Sequence, residues 1–451
     1  MDLLHYLCFF FLFIGVFSSS DDSICSSKFS EALHPHLNGS GVHFTLHHPQ
    51  SRCSPAPFAA PLSFSAVLSH DAARVQALSS RLSKSSTPAS RASSSPLLRP
   101  DAVSVPLSKG TSIGVGNYIT SISLGTPSKS YAVVVDTGSS FSWVQCEPCR
   151  VYCHSQAGSV FDPSASATHH SLPCSSSECG GLKSATLNPP ACSISDVCIY
   201  EASYGDSSFS IGYLSKDVLT LDNGQRLPGF VFGCGQDNEG LFGRSAGLIG
   251  LARNRLSLFY QYASVVGNAF SYCLPSTSSA GYLSIGSYNP GHFSYTPLVS
   301  SSLDDTLYFL RLTGFTVAGR SIPVPSSTQT IIDSGTVITR LPRNVYNALS
   351  VAVAAELKGY PKAPAYSILD TCYVGSLSRL AVPPVELVFE GGAVLRLPAR
   401  NVFIDVDGSA TCLAFAPSSE VAIIGNTQQQ GFSVVYDVGK SRIGFAAGGC
   451  A

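Results

Sequence analysis

Charge is scarce in this chain. Only 12% of its 451 residues are Asp, Glu, Lys or Arg, and the formal net charge is −1. Without a basic field there is nothing to neutralise phosphates, so nucleic acid is excluded as a partner. Met and Trp occur once each and Lys is sparse, while Ser and Gly are plentiful. That balance suits short strands and turns rather than long helices. A G-x-S-x-G motif is missing, and His154, His169, His170 and His292, the histidines beyond residue 110, adjoin no Ser or Cys in a nucleophile motif. These four rings are expected at the surface. Disorder is excluded as well, because 44% of the chain is apolar.

Long hydrophobic runs are missing too, with one exception at the start, "MDLLHYLCFFFLFIGVFSSSDD". Its apolar core, residues 3–17, falls short of the roughly 20 residues that span a bilayer. We expect a signal peptide over 1–20 and a secreted, extracellular protein, although Asp2 replaces the usual basic residue. An uncleaved anchor is the alternative. The end, "GFAAGGCA", has no hydrophobic tail for a lipid anchor.

Cysteine is not scarce. Of fifteen, Cys8 lies in the signal, Cys25 and Cys53 follow, and twelve fall between Cys146 and Cys450. "CEPCRVYCH" has CxxC spacing with His154 close by, which suits zinc as well as disulfides. A secretory signal and an even count favour disulfides, and no metal or cofactor is expected.

Residues 21–109 differ from the rest. They hold six of the eleven histidines, eight Lys/Arg against five Asp/Glu, and the Ser-rich "SSRLSKSSTPASRASSSP". Apolar spacing predicts one amphipathic helix, Leu68–Leu82. A basic, partly helical segment between signal and body reads as a propeptide, or else as a disordered spacer. The only N-glycosylation sequon, Asn38-Gly-Ser, falls here. From about Gly110 short strands alternate with Gly/Pro/Asn/Ser turns, and helical signals are few: 255–266 and 343–359. A mostly β body of this size needs two lobes.

One internal repeat carries chemistry. "AVVVDTGSS" (132–140) has a partner in "TIIDSGTVI" (330–338), so two β-branched runs end in Asp-(Thr/Ser)-Gly at Asp136 and Asp333. Each is followed by an apolar-apolar-Gly strand, "GLIGL" (247–251) and "AIIGN" (422–426). A carboxylate ending a buried strand is costly unless it is hydrogen-bonded or used.

These residues resemble the pepsin-type aspartic proteases over about 110–451. The finer likeness is to the plant nepenthesin-like branch, through "DTGSSFSWVQCEPC", the cysteine-rich insert 146–198, "YGDSS", "VFGCGQDNEGLF", "FSYCL", "IIDSGT" and "IIGNTQQQGFSVVYD". "LSHDAARV" (68–75) is similar to that branch's propeptide helix. The resemblance implies a bilobal β fold, with an N-terminal lobe (110–294) and a C-terminal lobe (295–451) flanking a cleft. It also implies a monomeric endopeptidase, active at acid pH, that hydrolyses peptide and protein substrates and is held by its own propeptide before activation. Asp136 and Asp333 would share a proton and activate a water, with Asp136 the ionised member. Gly138 and Gly335 would let backbone approach the acids, and Ser139 and Thr336 would bond their outer oxygens.

The hairpin 201–214 would be a flap whose Tyr204 meets the Trp143 indole N–H. Two positions depart from the family: Ser207 replaces the flap's second glycine, and Ser142 an aliphatic residue beside Trp143. The implied disulfides are Cys146–Cys149, Cys153–Cys234, Cys174–Cys198, Cys179–Cys192, Cys273–Cys450 and Cys372–Cys412. The competing expectation is an inactive pepsin-fold inhibitor or binding protein of the plant cell wall, akin to xylanase inhibitors. Such proteins typically lose a catalytic element, whereas both acids stand here in intact motifs.

Overall fold

A computed structural model describes residues 36–37, 42–57, 63–85 and 117–450, apart from 205–206, 222–223, 241, 278, 287 and 420. The expected signal (1–20), Asn38 and the boundary near Gly110 lie outside the described residues. No described helix is long and apolar enough to cross a membrane.

The run that ends at Asp136 forms the strand Lys129–Asp136, buried from Tyr131 onward. It lies between Ile119–Leu124, antiparallel, and Gly247–Gly250, parallel, so both edges are paired; its unbroken burial shows both faces covered, and the sequence reads as continuous valine. The second copy repeats the arrangement. Thr330–Ile332 runs parallel to Ala422–Ile424, with Ile332 opposite Ile424 as Val135 is opposite Ile249. In each case the apolar-apolar-Gly strand lies beside the strand that delivers the acid.

A large sheet carries most of the first half of the chain. Into it the last two strands return: Phe432–Asp437 pairs antiparallel with Ala269–Cys273 and with Arg442–Ala447. The 432–447 pair therefore crosses the division expected at residue 294. Phe270, Tyr308 and Tyr436 pack ring to ring where the halves meet, with Phe270 stacked on Tyr436 at 4.5 Å.

The N-terminal segment is part of this fold. Val42–His47 inserts between Ala280–Ile285, along six residue pairs, and Ile119, through His47. Val42, Phe44 and Leu46 are buried on one face, the alternation expected of a half-covered strand. His48 follows, edge-on to Tyr118 at 5.7 Å, its Nδ1 accepting from the Gln50 N–H; burial pushes its pKa down to about 4. The predicted Leu68–Leu82 helix is longer, Phe64–Ser85. It buries Val67 and Leu68 against one apolar cluster, and Val75, Leu78 and Leu82 against a second.

Four disulfide expectations are corrected. Cys146 pairs with Cys234, and Cys149 with Cys153, rather than Cys146–Cys149 and Cys153–Cys234. Strand register is the reason. Trp143–Gln145 runs parallel to Arg226–Glu239 with Val144 opposite Cys234, which carries Cys146 to Cys234 and leaves Cys149 to close a short loop. Likewise Cys174 pairs with Cys192 and Cys179 with Cys198, rather than Cys174–Cys198 and Cys179–Cys192. The helix Ser177–Thr186 turns Cys179 inward to the equally buried Cys198, and the outer Cys174 meets the exposed Cys192. Cys273–Cys450 and Cys372–Cys412 are present.

His154 is corrected too. It is buried beneath Phe242 and its Nε2 lies 2.8 Å from the Ser245 carbonyl, whereas His170 and His292 are exposed and His169 is half-buried. The ring packs against Phe242 as a core residue.

Candidate active site

Both strand ends deliver their acids to one point, and both carboxylates are fully buried. Each loop folds back on its own acid. The Gly138 N–H donates to Asp136 Oδ1 (2.9 Å) and the Gly335 N–H to Asp333 Oδ1 (3.0 Å). The hydroxyls of Ser139 and Thr336 donate to the outer oxygens of Asp136 and Asp333, the latter at 2.7 Å. The loops also grip each other. Thr137 Oγ1 accepts from the Ser334 N–H (2.9 Å), and Ser334 Oγ accepts from the Thr137 N–H (3.2 Å).

The glycines are required by the opposite acid rather than by their own turn. A Cβ on Gly138 would stand 2.9 Å from Asp333 Oδ1, and one on Gly335 would run into Asp136 Oδ1. Any other residue would force the carboxylates apart.

Sequence reasoning missed the cation at the centre. Arg74, from the N-terminal helix, reaches between the acids with a side chain 17% exposed. Its Nη2 lies 2.8 Å from Asp136 Oδ1 and 3.0 Å from Asp333 Oδ2, and its Nη1 donates to Asp136 Oδ2 at 3.1 Å. Burial alone would lower the Arg74 pKa, but the two carboxylates outweigh it and hold the guanidinium above its usual value. The acids then diverge. Burial lifts Asp136, yet Arg74, Ser139 and the Gly138 N–H bring its carboxyl below the usual range. Burial lifts Asp333 as well, and there it prevails over Arg74 with the help of the Asp136 charge, leaving the carboxyl above that range. Two acids pushed in opposite directions are what acid–base hydrolysis requires, and here Arg74 contributes to the difference.

Asp71 and Asn426 also escaped sequence reasoning. One turn before Arg74, Asp71 accepts from the N–H groups of Val337 (2.6 Å) and Ile338 (3.2 Å) and from Arg340 Nη2 (2.8 Å). Asn426 donates its N–H to the Thr336 carbonyl and its side-chain amide to the Ser334 carbonyl, bracing the second loop. The available signal for the helix was its spacing: Asp71 and Arg74 sit three apart and share a helix face.

Over the cleft stands the hairpin of Cys198–Ser203 and Phe209–Thr220. Trp143 Nε1 donates to Tyr204 Oη at 2.8 Å, and Phe242 packs edge-on to both rings. Ser207, in the flap turn, has φ 68°, so the position does adopt the left-handed backbone usually given to glycine. Ser142 does not line the cleft. It is fully buried and its Oγ accepts from the Gly250 N–H at 3.1 Å, tying the acid's loop to the strand beside it.

Comparison with known proteins places this geometry. Two family models match, xylanase inhibitor N-terminal over residues 118–287 and xylanase inhibitor C-terminal over 307–447. The chain is 37% identical over 445 residues to aspartyl protease AED1 of Arabidopsis thaliana, covering 97% of this chain and 91% of that protein. It is also 37% identical over 356 residues to aspartic proteinase nepenthesin-2 of Nepenthes gracilis, covering 75% and 78%.

The chain belongs to the pepsin-like aspartic protease family of plants.

Among solved structures, conglutin gamma, a basic 7S globulin from lupine seeds, is similar with TM-score 0.59 at 22% identity, covering 73% of this chain and 91% of that one. Basic 7S globulin from soybean gives 0.58 at 23%, covering 73% and 93%. These two likenesses place the pepsin-like fold and nothing finer.

Proposed function

We propose that this member of the family is a secreted aspartic endopeptidase, synthesised as a zymogen and active in acid. The observation that carries the reading is the Asp136–Asp333 pair, both acids buried at one point and each held by its own loop's glycine N–H and hydroxyl. With the cleft open, the ionised carboxyl draws a proton from a water lodged between the acids. That water attacks the scissile carbonyl while the protonated carboxyl donates to the developing oxyanion. No acyl-enzyme forms, because no nucleophilic side chain takes part.

Arg74 supports the zymogen half of the reading. Its guanidinium occupies the place between the acids where water and substrate must sit. Acid weakens the contact by protonating Asp136, and the helix then leaves. The segment from the signal to about Gly110 is accordingly the propeptide.

A binding protein of inhibitor type is the second reading, favoured by the names of the matching family models. One experiment separates the two. Purified full chain is taken from about pH 7 to about pH 3, and cleavage of itself and of added peptides is followed with and without pepstatin. Hydrolysis that pepstatin stops is expected, and Asp136→Asn should lower kcat by about 100-fold or more. Intact chain and uncut peptide throughout that range would leave the binding reading in possession.

A further inference from the structure

The helix carries a second anchor that the hydrolytic reading leaves unexplained. Asp71 is buried with its carboxylate wholly enclosed, and it meets three donors of the second lobe: the Val337 and Ile338 N–H groups and the Arg340 guanidinium. Those donors are built in. Val337 and Ile338 continue the loop of Asp333 itself. Arg340, 3% exposed, sits on the strand Thr339–Pro342 opposite Ala416, its Nη1 turned to the Ile338 carbonyl. Among the described residues Arg340 has one ion-pair partner, Asp71. A groove runs on from Arg340 between the helix (Ala72, Val75, Gln76) and the Ala416–Ser419 stretch.

Two N–H groups and a guanidinium converging on one point form a receptor for a carboxylate. Once the helix leaves, that receptor loses its acceptor while its backbone stays in place. Asp71 lies three residues from Arg74, or about 4.5 Å along the helix axis, between one and two residues of extended peptide. We infer that Val337, Ile338 and Arg340 form a specificity site for an acidic side chain, Asp or Glu, close to the scissile bond of a bound peptide. Asp71 is its resident occupant. This rests on the cleft being a peptide-binding cleft, as proposed above. A side chain is assigned over a peptide C-terminus because the occupant in place is a side chain with backbone continuing on both sides.

The test reads binding, so that it stands apart from hydrolysis. Full chain carrying Asp71→Asn and Arg74→Gln, with Leu68→Asp and Leu78→Asp to undock the apolar face, frees the helix, and Asp136→Asn prevents cleavage. The probes are fluorescein-labelled peptides in Asp/Asn twins scanned along the sequence, each with a free or an amidated C-terminus, at roughly pH 5.5 where carboxylates are ionised. At one position the Asp twin should bind about tenfold tighter or more. Adding Arg340→Gln should bring the twins within about twofold, and Arg340→Lys should keep part of the preference. If Arg340→Gln fails to fold, judged by thermal unfolding, the twins on intact Arg340 still decide. Equal binding of twins at every position, no binding of either, a preference that survives in folded Arg340→Gln, or one that follows the C-terminus alone overturns the site. Twin preference without hydrolysis by the Asp136-intact chain would instead sink the peptidase reading and leave this site standing.

Discussion

At Ser207 the backbone is held at φ 68°, a conformation that costs a residue with a Cβ about 1–2 kcal/mol. Ser207→Gly should therefore stabilise the protein by about 0.5–1 kcal/mol in urea unfolding, the gain being trimmed by glycine's extra freedom in the unfolded chain. No gain would mean that the hydroxyl compensates the strain. Arg74 makes the opposite case, a residue whose loss should help activity. Its charge helps hold Asp136 below the usual carboxylate range, so docking of the helix is favoured above roughly pH 4 and is lost as pH falls through the depressed value. Arg74→Gln removes that pull, and the onset of acid self-processing followed on gels should move up by about one pH unit. Asp136 and Asp333 were legible because the motif repeats. Arg74 was not, because an Arg among other basic residues on a Ser-rich helix looks like any solvated charge until the fold brings it to the acids.

Among the elements, the strands carried their own signature and the cross-links did not. The valines before Asp136, the isoleucines before Asp333 and their glycine-ended partner strands could all be read from period and β-branching. Which cysteine meets which depended on the parallel register of Trp143–Gln145 against Arg226–Glu239, which no local pattern encodes. Peptide mapping of the oxidised protein should recover Cys146 joined to Cys234 and Cys149 joined to Cys153. Cys146–Cys234 spans 88 residues of sequence, so Cys146→Ala with Cys234→Ala should cost about 4 kcal/mol, against about 2 for removing Cys149–Cys153 with its separation of four. The helix Phe64–Ser85 was legible as amphipathic, but its apolar face meets two clusters that come from distant parts of the chain.

For the whole molecule, the N-terminal segment is fastened twice by different chemistry. Its helix rests on ion pairs, Arg74 with both acids, Asp71 with Arg340 and Arg81 with Asp304, besides the apolar residues it buries. Its strand, Val42–His47, rests on a ladder of six pairs and on Val42, Phe44 and Leu46, whose burial contributes about 6 kcal/mol. The strand does feel acid, through His47 at its end and His48 just after it, both pushed down by burial. Burial holds the His48 ring at about 4 against an ordinary value near 6.5, so the neutral ring favours docking above that value, and the advantage is lost as pH falls towards 4. His48 alone accounts for at most about 3 kcal/mol, and His47 adds to it. Acid thus strikes at the ion pairs of the helix, whereas the strand keeps its backbone ladder.

A cut between them then separates sequence without separating structure. The working protein would be a noncovalent pair of chains, the smaller one filling a place in the sheet that would otherwise stand open between Ile119–Leu124 and Ala280–Ile285. Native mass spectrometry after processing at about pH 4 should find a fragment containing residues 42–57 travelling with the body, and a body of lower mass without it would show that the slot is refilled from elsewhere. What looks like a discarded leader would then be, in part, a subunit.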